Sequence, residues 1–170
     1  MMKKITILLF TIISSATLVS CIFERNDDYT YNYYPSQYEP VIMSREAFEN
    51  SIRFTEVQPM RDAGKIYVKD QYVFIVDRNK GVHVYNNQNP SSPSEYTFLE
   101  IPGVTDLAIR DNYIYVNQSI DLVALNVNFS SKTVEVTKRI RQTFPVKVSP
   151  DGYTQYVNEN QVVVDWIKRN

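Results

Sequence analysis

The chain has 170 residues, with 13 Tyr and 8 Phe but only 4 Gly, 1 His and 1 Cys, and its formal net charge is −1. A charge so close to zero excludes the basic footprint of a nucleic-acid-binding protein, and we expect no nucleic-acid partner. The abundance of Tyr, Val and Ile favours β-strands.

The first twenty residues have the organisation of a secretory signal. Lys3 and Lys4 precede an uncharged apolar run over residues 5–19. This run is shorter than the ~20 residues that cross the hydrocarbon core of a membrane, and Thr and Ser interrupt it. We therefore predict a signal peptide over residues 1–20. Its removal leaves 16 basic and 19 acidic residues in a chain of one domain's length.

The single cysteine, Cys21, directly follows this signal. Leu18-Val19-Ser20-Cys21 resembles the lipobox of bacterial lipoproteins. The resemblance implies cleavage before Cys21, a diacylglycerol on its thiol and a further acyl chain, such as palmitate, on the new amino terminus. Two or more chains anchor a protein stably. By analogy with lipoprotein sorting in diderm bacteria, Ile22 in place of Asp favours the outer membrane over retention at the inner one. The alternatives are an uncleaved anchor or a spare thiol.

Residues 21–43 are predicted to be a lipidated, flexible tether. Five of the 13 Tyr fall within residues 22–40, where Asn, Asp, Pro and Ser separate them without a strand or helix period. Such a composition is typical of a spacer. The alternative interpretation is an aromatic arm that binds glycans or a protein partner.

A β domain is predicted over residues 44–170, beginning with a short helix at residues 44–52. Ser44 suits the N-cap of this helix. Met43 and Phe48 occupy the two positions of a hydrophobic staple.

The rest of the domain repeats with a period of about 41 residues, in copies at residues 64–104 and 105–145 and a partial copy at 146–170. Matched pairs include Ile66 and Leu107, Val68 and Ile109, Asp70 and Asp111, Tyr72 and Tyr113, and Val82 and Leu122. Each copy contains four short β-rich runs, the signature of a propeller blade. We predict an all-β fold of about two and a half propeller-like four-stranded blades with one short helix.

The segment YVFIVDRNKGVHVYNNQNPSSP, residues 72–93, resembles the LVIVD repeat of bacterial and archaeal surface proteins. Residues 41–145 resemble the amino-terminal part of Bacteroidetes lipoproteins that carry this repeat. The resemblance implies a propeller-like fold at the outer membrane or cell surface, and no known reaction.

Two and a half blades cannot close a propeller, which takes four or more. We expect the strands at residues 72–76 and 113–116 to pack against each other. We expect the third copy to cover the far side of the second, and the helix to cover the first through Phe48 and Ile52. Self-association through an edge strand is predicted.

The sequence predicts no catalytic, cofactor-binding or metal-binding residue. His83 lies in the apolar run GVHVY, where a packed or edge position is favoured over a ligand role, and Trp166 is interpreted as a core or strand anchor rather than a stacking platform. Asp70 and Asp111 suit tight turns, whereas Asp77 and Asp106 suit bonds to backbone at strand ends. Asp151 and Asp165 are the other two carboxylates considered as candidates for acid–base catalysis.

Three functional interpretations remain open. The first is an anchored surface module that binds a protein or glycan partner without catalysis. The alternatives are a carboxylate-dependent hydrolase of envelope or dietary polysaccharide, or an inactive truncated fragment of a longer propeller. Two carboxylates converging in one pocket would favour the hydrolase. An exposed aromatic or edge-strand patch would favour the binding module.

Overall fold

The computed structural model describes residues 35–170, so the predicted signal peptide, Cys21 and most of the predicted tether lie outside the described residues. The described chain is mostly β-strand, with one short helix. Its helix is α1 (Arg45–Glu49), and its strands are β1 (Tyr38–Ser44), β2 (Arg53–Thr55), β3 (Ala63–Lys69), β4 (Tyr72–Asp77), β5 (Gly81–Asn86), β6 (Ser94–Glu100), β7 (Val104–Arg110), β8 (Tyr113–Gln118), β9 (Asp121–Asn128), β10 (Thr133–Ile140) and β11 (Gln161–Lys168).

Two antiparallel sheets correspond to the two predicted repeats. The first blade consists of β3, β4, β5 and β6 in sequential order, and the short strand β2 extends it beyond β6. The second blade consists of β7, β8, β9 and β10, again in sequential order. The prediction of an all-β fold with propeller-like four-stranded blades is confirmed.

The tight turns between the first two strands of each blade also agree with the sequence. Asp70 and Asp111 have φ values of 54° and 53°, in the left-handed region. Short polar Asp side chains tolerate this region better than most residues. Their prediction as turn formers is confirmed.

The main hydrophobic core lies between the two blades. Residues 72–76 and 113–116, which we expected to pack against each other, both contribute buried side chains to this core. Its fully or nearly fully buried members are Phe74, Val76, Val82, Val84, Leu99, Ile101, Val104, Leu107, Ile114, Val116, Val123 and Leu125.

The chain after the second blade does not form part of a third blade. Only β11 is a strand there, and it pairs antiparallel with β1 in a separate two-stranded sheet. Residues 38–43 were assigned to the flexible tether, but they belong to β1 and therefore to the folded domain. An isolated strand such as β11 leaves backbone groups unpaired, and β1 satisfies them.

The predicted covers of the two outer blade faces are also wrong. The helix is shorter than residues 44–52, although the predicted cap is confirmed by a 3.2 Å hydrogen bond from the Ala47 N–H to Ser44 Oγ. Phe48 is buried against Val162 and Val164 of β11. Ile52 packs on the core between the blades.

The β1–β11 sheet instead contacts the turns at one end of the blades. Ser119, in the β8–β9 turn, donates a 2.6 Å hydrogen bond to the carbonyl of Val163. Lys80, in the β4–β5 turn, forms a 2.8 Å ion pair with Asp165. Ile120 packs on the same small cluster as Phe48. The sheet therefore holds the ends of both blades.

Candidate functional site

The buried carboxylate Asp77 lies at the end of β4. Its oxygens accept hydrogen bonds from the backbone N–H groups of Arg61 and Asp62, at 3.0 and 2.9 Å. His83 Nε2 lies 3.3 Å from Asp77 Oδ2, and the His83 ring packs edge-on against Phe98 at 4.8 Å. The expected backbone-binding role of Asp77 and the packed position of His83 are both confirmed.

The electrostatics of Asp77 follow from these contacts. Burial raises the pKa of the Asp77 carboxyl. The two backbone N–H groups and His83 together lower it by a larger amount, so the pKa lies below the ordinary value. The carboxylate is thus held ionised by the loop that it fixes. A group of this kind stabilises structure and is poorly suited to act as a general acid.

Asp106, at the start of β7, connects the two blades. It forms an ion pair with Lys65 of β3 and accepts a 3.3 Å hydrogen bond from the hydroxyl of Tyr67. Its Oδ1 also accepts a 2.8 Å bond from the backbone N–H of Leu107, as the sequence predicted. The contact with Asp106 raises the pKa of Lys65.

Asp151 fastens the start of the described chain. It accepts hydrogen bonds from Ser149 Oγ at 2.6 Å, from the Gln37 N–H at 2.8 Å and from Ser36 Oγ at 3.0 Å. The bond from Ser149 is the main reason that the pKa of Asp151 is lowered.

Asp165 of β11 is the centre of a partly buried polar cluster. It accepts hydrogen bonds from Asn79 Nδ2 at 2.6 Å and from the Trp166 N–H at 2.8 Å, besides its pair with Lys80. Lys147 Nζ donates to Asn79 Oδ1 at 2.6 Å. Burial lowers the pKa of Lys147, although Asp165 acts in the opposite direction.

Trp166 acts as a strand anchor, as expected. Its Nε1–H donates a 3.2 Å hydrogen bond to the carbonyl of Lys147. The indole therefore fixes the irregular segment before β11.

A second buried polar network was not predicted from the sequence. Asp121 is fully buried and accepts hydrogen bonds from Arg45 at 2.7 Å and from Arg139 at 3.0 Å. The same two guanidinium groups lie over the ring of Phe48, each 5.4 Å from its centroid. Arg139 also donates a 2.8 Å bond to Gln118. The only sequence signal for this network was Asp121 itself, a charged residue at the start of the mostly apolar strand β9.

One groove brings two of the candidate carboxylates together. Asp77 and Asp165 both line a groove of about 660 Å³ between the first blade and the β1–β11 sheet. Each carboxylate accepts hydrogen bonds from protein donors on both of its oxygens. The groove therefore contains two carboxylates that are engaged in holding loops and turns.

A second cleft, of about 490 Å³, lies between the turns of the two blades. Its aromatic residues pack on each other, with Phe129 4.7 Å from Tyr72 and 5.5 Å from Phe74 between ring centroids. Asp70 and Asp111 lie at its rim. These rings therefore contact one another in tilted pairs.

The outer face of the second blade exposes a group of apolar side chains. Tyr113, Tyr115 and Ile140 are 40%, 36% and 50% exposed. With Leu122 and Ala124 they line a shallow depression of about 300 Å³. Exposed aromatic and aliphatic groups of this kind mark interaction surfaces.

The outer face of the first blade is also apolar. Ile66 and Val68 on the edge strand β3 are 63% and 66% exposed. They lie opposite Ile75 and Val73 of β4, which are partly buried. The two blades thus expose one apolar face each.

Comparison with known proteins supports the repeat. Residues 60–98 match the LVIVD repeat family, and this stretch runs from just before β3 to within β6. The first blade is therefore similar to an LVIVD repeat, a unit of propeller-like repeat proteins. No curated protein and no solved structure matches the chain.

Between residues 35 and 170 no group of three or more His, Cys, Asp or Glu side chains is arranged to hold a metal ion. No helix in that range is long and apolar enough to span a membrane.

Proposed function

We propose that this chain is a lipid-anchored bacterial surface module that binds a protein partner through the outer face of the second blade, without catalysis. The observation that carries the proposal is the exposed apolar face formed by Tyr113, Tyr115 and Ile140. Protein interfaces are enriched in aromatic residues at their cores, which this face supplies.

The chemistry of the face favours a protein over a glycan. Besides its apolar members, the depression is lined only by Thr137 and Lys138. A glycan presents many hydroxyl groups that need hydrogen-bonding partners, and a face with so few polar side chains would leave them unpaired. A protein partner can instead cover the face with apolar side chains.

The absence of catalysis is supported by the engagement of the candidate carboxylates. A glycosidase needs one carboxyl that can donate a proton and a second that can reach the sugar. In the groove, Asp77 is held by backbone N–H groups and Asp165 by Asn79 and Lys80. All four of these oxygens already accept hydrogen bonds that hold a loop or a turn.

The membrane anchor of the proposal rests on the sequence around Cys21, where a basic start and an apolar run precede Leu-Val-Ser-Cys. A triacylated Cys21 would hold the domain at the outer membrane or cell surface. The Tyr-rich residues that follow Cys21 would then space the module from the lipid.

Site-specific photocrosslinking tests the binding function. A photoreactive phenylalanine analogue replaces Tyr113 in the full-length chain, and irradiated cell envelopes are analysed by mass spectrometry. We expect a discrete protein adduct. The control position is Tyr156, which is exposed but lies outside the face. Equal, unspecific adducts at both positions, or no protein adduct at Tyr113, would refute the proposal.

A further inference from the structure

The two blades are structural repeats down to their irregularities. The pairing of β3 with β4 shifts register between Ala63 and Ile66, and the pairing of β7 with β8 shifts between Val104 and Leu107, which occupy the matching positions. The register shift next to Tyr85 in the first blade recurs opposite Leu125 in the second. Positions in one blade can therefore be matched to positions in the other without ambiguity.

This matching shows that the outer face of the second blade is equivalent to a face that is already buried. In the first blade, the face that packs on the second blade includes Phe74, Val82, Val84 and Leu99. By the strand pairings, the equivalent residues of the second blade are Tyr115, Leu122, Ala124 and Ile140, in the same order. Tyr113 likewise matches Tyr72.

The outer face of the first blade is equivalent to the other half of that interface. In the second blade, the face that packs on the first includes Leu107, Ile114 and Val116, with Ile109 against it. The equivalent residues of the first blade are Ile66, Val73, Ile75 and Val68, in the same order. The two exposed faces thus repeat the two sides of one interface that this chain already forms within itself.

We propose that the partner of the outer face of the second blade is a second copy of this chain, docked head to tail through the outer face of its first blade. The inference deepens the proposed function and rests on it. The contact is heterologous, since two different surfaces meet, and it repeats the blade-to-blade packing inside the chain. Two copies supply four blades, the smallest number in a closed propeller.

Charge complementarity at the inner strands supports this arrangement. Within the chain, Lys65 of the first blade pairs with Asp106 of the second. Lys65 and Asp106 occupy equivalent positions in their repeats. A head-to-tail copy would therefore place its Lys65 beside the Asp106 of the preceding chain. Oppositely charged groups would alternate along the row of inner strands.

The match is strongest near β3 and β4. At the positions equivalent to Val123 and Leu125, the first blade has His83 and Tyr85. His83 is buried within its own chain beside Asp77. The docked copy would thus contact mainly β3, which carries Ile66 and Val68, and β4, which carries Val73 and Ile75.

Paired charge substitutions test the head-to-tail contact. Two differently tagged copies of the full-length chain are co-expressed, and co-purification is measured after mild solubilisation. Tyr115→Asp places a charge in the outer face of the second blade, and Val68→Asp does so in the outer face of the first. An unpaired carboxylate in an apolar contact is strongly unfavourable. We expect each variant to lose pairing with itself by roughly tenfold or more.

The decisive sample combines Tyr115→Asp with Val68→Asp. Each of these copies retains the face that the other has lost, so one intact contact remains and co-purification should return toward the wild-type level. Tyr156→Asp and Val146→Asp are the controls, because both residues are exposed and lie outside the two faces. Circular dichroism melts verify that all variants are folded.

The inference is overturned by wild-type copies that do not co-purify, by a Val68→Asp variant that still pairs with itself, or by a mixed sample that fails to recover. Its failure can be told apart from failure of the proposed function. A photocrosslinked adduct at Tyr113 with a different protein would leave the proposed function standing without the self-assembly. An adduct with a second copy, at peptides that contain Val68, would support both.

Discussion

Asp77 is buried in the first blade, where two backbone N–H groups and His83 surround its oxygens. Because its folded-state pKa lies below the ordinary 3.8, the group stabilises the folded state above that value. This stabilisation is lost as the pH falls through the folded-state pKa, which places the loss below about pH 4.

We predict that Asp77→Asn lowers the free energy of unfolding at neutral pH by about 1–3 kcal/mol, because the ionised acceptor of the Arg61 and Asp62 N–H groups is lost. The variant should also show a shallower loss of stability in acid. Urea denaturation between about pH 3 and pH 7 measures both effects. Asp111→Asn is the matched control, since Asp111 is exposed and Asn tolerates its φ of 53°. Acid limbs of equal slope in wild type and Asp77→Asn would contradict the prediction.

The predicted membrane location depends on Cys21. Cys21→Ser should abolish retention in the membrane fraction and leave an unprocessed precursor or a released form, because no thiol remains to accept a lipid. Fractionation and intact-mass measurement test this. A wild-type chain that retains Met1 and an unmodified thiol would show that the lipobox interpretation is wrong.

Gly81 at the start of β5 shows how closely two elements approach. A Cβ added there would lie 2.3 Å from the carbonyl oxygen of Leu99 and 2.5 Å from the ring of Phe98. A Cβ on Gly64 of β3 would lie no closer than 3.4 Å to Val76, which is ordinary van der Waals contact. The first blade therefore has space for a Cβ at Gly64 and not at Gly81.

We predict that Gly81→Ala destabilises the domain by about 1–3 kcal/mol or more, since β5 and β6 must separate to admit the methyl group. Gly64→Ala should change stability much less. Chemical denaturation of both variants under the same conditions gives the comparison. Equal effects of the two substitutions would mean that the approach of β6 to Gly81 is not a constraint on the first blade.

The blades present a further contrast at the level of whole faces. The face of β4 and β5 with Phe74 and Val84 is buried, whereas the equivalent face of β8 and β9 with Tyr115 and Ala124 is exposed. The substitution of Phe by Tyr and of Val by Ala makes the exposed face somewhat more tolerant of water. The face nevertheless remains apolar, which the proposed docking of a partner depends on.

For the whole molecule, we predict concentration-dependent self-association. The soluble form that begins at residue 22 should sediment as larger species at rising concentration, because unpaired edge strands and two apolar faces are available in the domain. Sedimentation combined with a thermal melt tests this expectation. A monomer at all concentrations with a cooperative melt at high temperature would indicate that the domain is complete by itself.

Local features of the sequence were sufficient to predict the blades. Alternating apolar residues, the Asp70 and Asp111 turns and the 41-residue period specify strands and hairpins between residues close in the chain. The packing of the two blades followed, because strands such as residues 72–76 have two apolar faces. His83 was assigned correctly for the same reason, since an apolar strand around a single imidazole indicates packing.

The tertiary structure alone decided the partner of β11 and the place of the second polar network. The sequence placed β11 in a partial third blade. No other strand of such a blade forms beside it, and β11 pairs instead with β1 from the opposite end of the domain. Asp121 becomes a buried centre only because Arg45 and Arg139 arrive from α1 and β10. Strand periods and turn residues encode interactions between near neighbours. The choice among distant partners depends on which arrangement buries Phe48 and pairs β11, and that is a property of the whole folded chain.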